Sequence, residues 1–90
     1  MDLGLRDKII LVTGGAKGIG AATVKAFSAE ACRVVLVDRD SETGTSLEKS
    51  LGSRVSYIEA DLTNLEACQK AIEQSVSLFG GLDVLVNNAG

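Results

Sequence analysis

Three glycines, Gly14, Gly18 and Gly20, follow the apolar run Ile9-Ile10-Leu11-Val12 with the spacing Gly-x-x-x-Gly-x-Gly. Glycine allows a tight turn and lets the backbone approach a ligand that a Cβ would exclude. A helix opening at such a turn directs unpaired N–H groups and the positive end of its dipole outward. The chemistry on offer is anion binding, and a strand–turn–helix unit of this kind suits a diphosphate. Lys17 and Ile19 belong to the same turn and are carried with the glycines as candidate ligand contacts. The loop is not a Walker-type phosphate loop, because Gly18 stands after Lys17 where Ser or Thr is required.

Three further features lie at matching distances. Asp38 ends the apolar run Val34-Val35-Leu36-Val37. A carboxylate at the tip of a second strand can accept hydrogen bonds from both hydroxyls of an adenosine ribose. It also repels a 2′-phosphate, which favours NAD over NADP. Lys17 and Arg39 act in the opposite direction, since either cation could attract that phosphate. Asp61-Leu62 follows a third strand, where the carboxylate could accept from an adenine amine. Asn87-Asn88-Ala89-Gly90 follows a fourth, where small residues leave room for the ribose and Asn can bridge backbone and ligand.

These residues need a frame of alternating strands and helices. The expected strands are Lys8–Val12, Arg33–Val37, Arg54–Glu59 and Val84–Val86. A first helix is expected over Gly18–Glu30, with Ile19, Ala22, Thr23, Ala26 and Phe27 as its buried stripe. A second runs from Ser41 to a stop at Gly52. The third has a Thr63/Glu66 capping box, a stripe of Leu65, Cys68, Ile72, Val76 and Phe79, and a stop at Gly80-Gly81. Right-handed crossovers then give an α/β fold, a parallel doubly wound sheet of strand order 3-2-1-4. The first two helices should cover one face and the third the other.

Composition narrows the alternatives. The 90 residues carry a net charge of −3, with 46% hydrophobic and 3% aromatic residues. No basic cluster or aromatic platform suggests nucleic acid as a partner. No apolar run approaches a membrane span and no secretory leader is visible, so a cytoplasmic setting is the expectation. Histidine is absent, and neither Cys32 nor Cys68 has a partner at metal-ligand spacing, so no metal site is expected. Both cysteines read as buried or half-buried free thiols.

The combination of Thr13-Gly14-x-x-x-Gly18-x-Gly20, Asp38, Asp61-Leu62 and Asn87-Asn88-Ala89-Gly90 resembles the short-chain dehydrogenase/reductase family. The resemblance spans essentially the whole chain. It implies a Rossmann fold in which Gly14 to Gly20 cradle the pyrophosphate of a nicotinamide dinucleotide. Asp38 would bind the adenosine ribose, Asp61 and Leu62 would flank the adenine, and Asn88 with Ala89 and Gly90 would pack on the adenosine. It further implies an NAD(P)-dependent oxidoreductase that moves a hydride between nicotinamide and an alcohol or carbonyl substrate, in a parent that is a homo-oligomer.

The family's catalytic Ser and Tyr-x-x-x-Lys do not occur in residues 1–90. Tyr57, the only tyrosine, has no lysine four residues on. The chain therefore reads as one truncated cofactor-binding domain without catalytic residues, and no turnover is expected from it alone. A non-catalytic dinucleotide sensor on the same fold is the alternative. A methyltransferase shares the sheet but not the glycine spacing or the Asn-Asn-Ala-Gly run. Family members often carry Gly where this chain has Ala31, which predicts a strained left-handed cap there.

Overall fold

The computed structural model describes residues 4–88. Four strands alternate with three helices: β1 (Ile9–Thr13), α1 (Gly18–Ala29), β2 (Arg33–Asp38), α2 (Ser41–Leu51), β3 (Val55–Glu59), α3 (Leu65–Phe79) and β4 (Val84–Asn87). The strands pair in parallel in the order β3-β2-β1-β4. Register sets Val12 beside Leu36 and Val86, so Thr13, Val37 and Asn87 reach the same sheet edge. The loops that follow these strands share that edge, which is where an open α/β sheet binds its ligands.

Side chains alternate across the sheet and divide the core in two. Ile10, Val12, Val34 and Leu36 point to one face and pack with Val24 of α1 and Leu47 of α2. Leu11, Val35 and Val37 point to the other and pack with Ala71 of α3. Strands β1 and β2 are buried on both sides, which accounts for their unbroken apolar runs. Among the described residues no helix is long and apolar enough to cross a membrane. Cys32 is buried in the first layer and Cys68 is half-buried in the second, both as free thiols. Burial pushes the Cys32 thiol up from its usual pKa.

The sheet-facing sides of two helices differ in part from the expected stripes, although Phe27 and Phe79 pack against the core as expected. On α1, Gly20 and Val24 are buried while Ile19 is 76% exposed and Ala22 and Ala26 lie outside. The cause is close approach: a Cβ on Gly20 would stand 1.9 Å from the Gly14 carbonyl oxygen. Only glycine fits, and it fixes the helix's rotation. On α3, Ala71 and Ser75 face the sheet, and Leu65, Ile72 and Val76 are exposed. Small residues again take the contact face, and the Ser75 hydroxyl donates to the Ala71 carbonyl at 2.8 Å. Leu85 of β4 and Ile72 border an apolar hollow of about 240 Å³ on this side.

The cap of α3 is also displaced by one residue. Asn64 is the N-cap, its side chain accepting from the Ala67 N–H at 3.1 Å. Thr63 instead bonds through its N–H and hydroxyl to Asp61 Oδ1. The Asp61–Thr63 turn therefore competes successfully for the threonine that the capping box required.

The outer edge of β3 is partly occupied. Val34 N–H donates to the Arg54 carbonyl and Ala60 N–H to the Asp38 carbonyl, so the even residues of β3 serve β2. Tyr57 N–H faces outward and donates to Glu48 Oε2 at 2.6 Å. The Tyr57 ring lies over Gly44 of α2, where a Cβ would come within 2.3 Å of the ring.

Candidate functional site

Strand β1 ends at Thr13, and the chain turns through Gly14 at φ 66° before α1 begins at Gly18, where φ is 56°. Both values are in the left-handed region that favours glycine. No side chain caps the N-terminus of α1: the N-cap residue is Lys17, whose backbone is extended. Space above Gly18 is open, with no atom from outside its own turn of chain within 4 Å of a Cβ built there. Gly18, Ile19 and Gly20 thus begin a helix whose first N–H groups have no protein acceptor among the described residues, beside a clear volume. These features fit a diphosphate.

Asp38 stands next to this loop. Its Oδ2 accepts from the Ala16 N–H at 3.2 Å and its Oδ1 from the Asp40 N–H at 3.1 Å. The carboxylate is half-buried and fixed from both sides, with lone pairs left for a ligand hydroxyl. Tyr57 fixes the same strand end, its hydroxyl donating to the Asp38 carbonyl at 2.8 Å. Gly14, Asp38, Arg39, Ala60, Asp61, Leu62 and Thr63 line a cleft of about 160 Å³. The structure therefore gathers five residues chosen from the sequence around one space, as the adenosine end of a dinucleotide would need. Thr63 holds the Asp61 carboxyl below the usual carboxylate range, so Asp61 is an acceptor at neutral pH.

Lys17 is committed elsewhere. Its ammonium pairs with Asp40 Oδ2 at 2.7 Å. Asp40 is the N-cap of α2 and accepts from the Thr43 N–H at 3.1 Å and the Thr43 hydroxyl at 3.0 Å. Lys17, with the two Thr43 donors, holds the Asp40 carboxyl down at about 2, and Asp40 in turn raises the Lys17 ammonium. The sequence reading missed Asp40. Its signal was present, since Asp directly before a helix start is a preferred cap.

The fourth strand closes the site. Asn88 N–H donates to Thr13 Oγ1 at 3.0 Å, and Asn88 Nδ2 donates to the Gly14 carbonyl at 3.4 Å. The Thr13 hydroxyl reaches Asn87 Oδ1 at 3.0 Å and the Val86 carbonyl at 3.3 Å, donating to one at a time. Asn88 acts here on the glycine turn itself, staying it from the β4 side. Thr13 is the unanticipated hub, a single hydroxyl that ties β1 to the end of β4. The two remaining candidates, Ala89 and Gly90, lie outside the described residues. Among the described residues no group of three or more potential metal ligands converges.

A parallel sheet of order 3-2-1-4, with a glycine turn after its first strand and an acid at the end of its second, defines a Rossmann-type fold. The short chain dehydrogenase family model matches residues 8–90, and the chain belongs to that family. It is 40% identical over 87 residues to secoisolariciresinol dehydrogenase of Forsythia intermedia, covering 96% of this chain and 31% of that one. It is 43% identical over 89 residues to a probable galactose dehydrogenase of Rhizobium meliloti (strain 1021), covering 94% and 35%. A solved 3-ketoacyl-(acyl-carrier-protein) reductase from Brucella melitensis, complexed with NADH, superimposes with a TM-score of 0.92 at 35% identity, covering 96% and 35%. The chain spans about a third of the length of these relatives.

Proposed function

We propose that this chain is the dinucleotide-binding portion of an NAD(P)-dependent oxidoreductase, and that its preferred cofactor is NAD. The observation that carries the reading is the open N-terminus of α1 set beside the fixed Asp38 carboxylate. The first offers N–H donors to a diphosphate; the second offers acceptors to a ribose and opposes a 2′-phosphate. The family and the NADH complex of a solved relative support a nicotinamide dinucleotide as the ligand. Asp61 and Leu62 border the adenine end, and Asn88 stays the glycine turn.

The bound nicotinamide supplies or accepts a hydride. The substrate is an alcohol or carbonyl compound, in keeping with the dehydrogenases and the reductase that the chain resembles. No residue of the 90 is assigned to proton transfer, so turnover is not expected from this chain by itself. The test is a titration of the protein at its natural length with NADH and NADPH, read by nicotinamide fluorescence. NADH should bind more tightly, and Asp38→Ala should narrow the gap. Equal affinities that the substitution leaves unchanged would remove Asp38 from the account. Binding of neither dinucleotide would overturn the assignment.

A further inference from the structure

We propose that Asp40 sets cofactor choice by withholding Lys17, the cation of the glycine loop, from a 2′-phosphate. The inference rests on the dinucleotide reading above and adds a second acid to it, acting by a different route from Asp38. Asp38 opposes a phosphate directly. Asp40 removes the group that would have compensated it.

The geometry gives the pair a direction. Asp40 is held in place independently of Lys17: its N–H donates to Asp38 Oδ1, and its carboxylate accepts both donors of Thr43. Lys17 is long and 70% exposed, and nothing but Asp40 fixes its ammonium among the described residues. The lysine is therefore drawn toward the acid at 2.7 Å, away from free use by a ligand. An exposed pair of this kind adds little to stability. A 2′-phosphate that recruited Lys17 would leave the Asp40 and Asp38 carboxylates beside it without their cation, and like charges at short range repel. Arg39 lines the neighbouring cleft together with Asp38 and Asp61.

Asp40→Asn isolates the effect, because Asn caps a helix about as well as Asp and keeps an oxygen for Thr43. Affinities for NADH and NADPH are measured by calorimetry on the protein at its natural length, alongside circular dichroism of the unliganded forms. Asp40→Asn should strengthen NADPH binding about fivefold, the scale of one exposed ion pair, and leave NADH within about twofold. The double variant Asp40→Asn/Lys17→Met should lose that gain, which a purely structural role of Asp40 would not produce. NADPH affinity unchanged in Asp40→Asn, with NADH binding and helix content intact, overturns the proposal. A gain that persists in the double variant also overturns it, since Lys17 would then not be the released group. If the starting protein binds neither dinucleotide, the cofactor reading itself falls and this inference with it.

Discussion

The three helices begin at the same edge of the sheet but begin differently. Helices α2 and α3 each start on a side chain that accepts from the third residue on, Asp40 to Thr43 and Asn64 to Ala67. Helix α1 starts on Lys17 with no such bond. Their far ends differ too. Gly52 and Gly80 close α2 and α3 with φ of 91° and 84°, whereas Ala31 takes φ 61° just past α1. By local rules α1 is the least well-finished helix of the three, yet its Gly20 packs directly against the Gly14 carbonyl of the turn before it. The contrast fits the proposed function, in which the N-terminus left open serves a ligand and those closed by their own side chains serve the fold.

The largest test of this contrast is Gly20→Ala. The new methyl would meet backbone at 1.9 Å and Asn88 Nδ2 at 2.8 Å, so α1 must move away from the turn. Destabilisation at the upper end of the overpacking range, about 3 kcal/mol, is expected in urea melts, with loss of dinucleotide binding. A well-folded variant with unchanged affinity would show that the close approach is dispensable.

The caps can be compared directly. Asn64→Ala should cost about 1 kcal/mol, as removal of a side-chain cap does. Lys17→Ser should do the reverse at α1, adding a cap oxygen, stabilising the unliganded protein by up to about 1 kcal/mol and weakening dinucleotide binding. Thermal melts with and without NADH separate the two effects. Equal losses from both substitutions would erase the distinction between open and closed ends.

At the other end of α1, Ala31→Gly should stabilise by about 0.5 to 1 kcal/mol. Relief of the left-handed alanine is partly offset by the added freedom of glycine in the unfolded chain. No change in melting temperature would mean that Ala31 carries no strain. The smallest effect is acid sensitivity confined to one cap. Asp40 has its carboxyl lowered from 3.8 to about 2, so its stabilising contribution is complete above 3.8 and is lost as the pH falls toward 2. Asn64 does not titrate. Hydrogen exchange at the first turn of α2 should rise over that window while the first turn of α3 holds. Parallel behaviour of the two helices would assign the loss to something other than Asp40.

The elements, to within a residue at their ends, and the position of Asp38 were legible because they rest on local signals: apolar runs, Gly stops and the distance from the glycine turn; strand order followed from the crossover rule and the doubly wound pattern. The buried sides of α1 and α3 were legible only in part, at Phe27 and Phe79. Hydropathy favours Ile19 and Leu65, but the sheet selects Gly20, Ala71 and Ser75, whose advantage is that they are small. Size matters only once a partner surface is in place, so no periodicity reveals it. The Thr63 cap failed for a related reason, since Asp61 two residues earlier takes the threonine first. Asp38, Arg39, Asp61 and Leu62 were chosen by their places after strands, and the structure gathers them around one cleft. Asp40 was passed over, and Thr13 was quoted with the glycine motif but given no role of its own, because their roles depend on which atoms arrive from Lys17 and from β4.

Glu48 has a consequence beyond the helix that carries it. Strand β3 forms an open margin of the sheet, and unpaired backbone donors on a margin invite another chain to add a strand. By taking the Tyr57 N–H at the middle of that margin, the Glu48 carboxylate puts a charge where a foreign carbonyl would have to dock. The same bond that settles α2 against the sheet thus guards the molecule against uncontrolled association along β3.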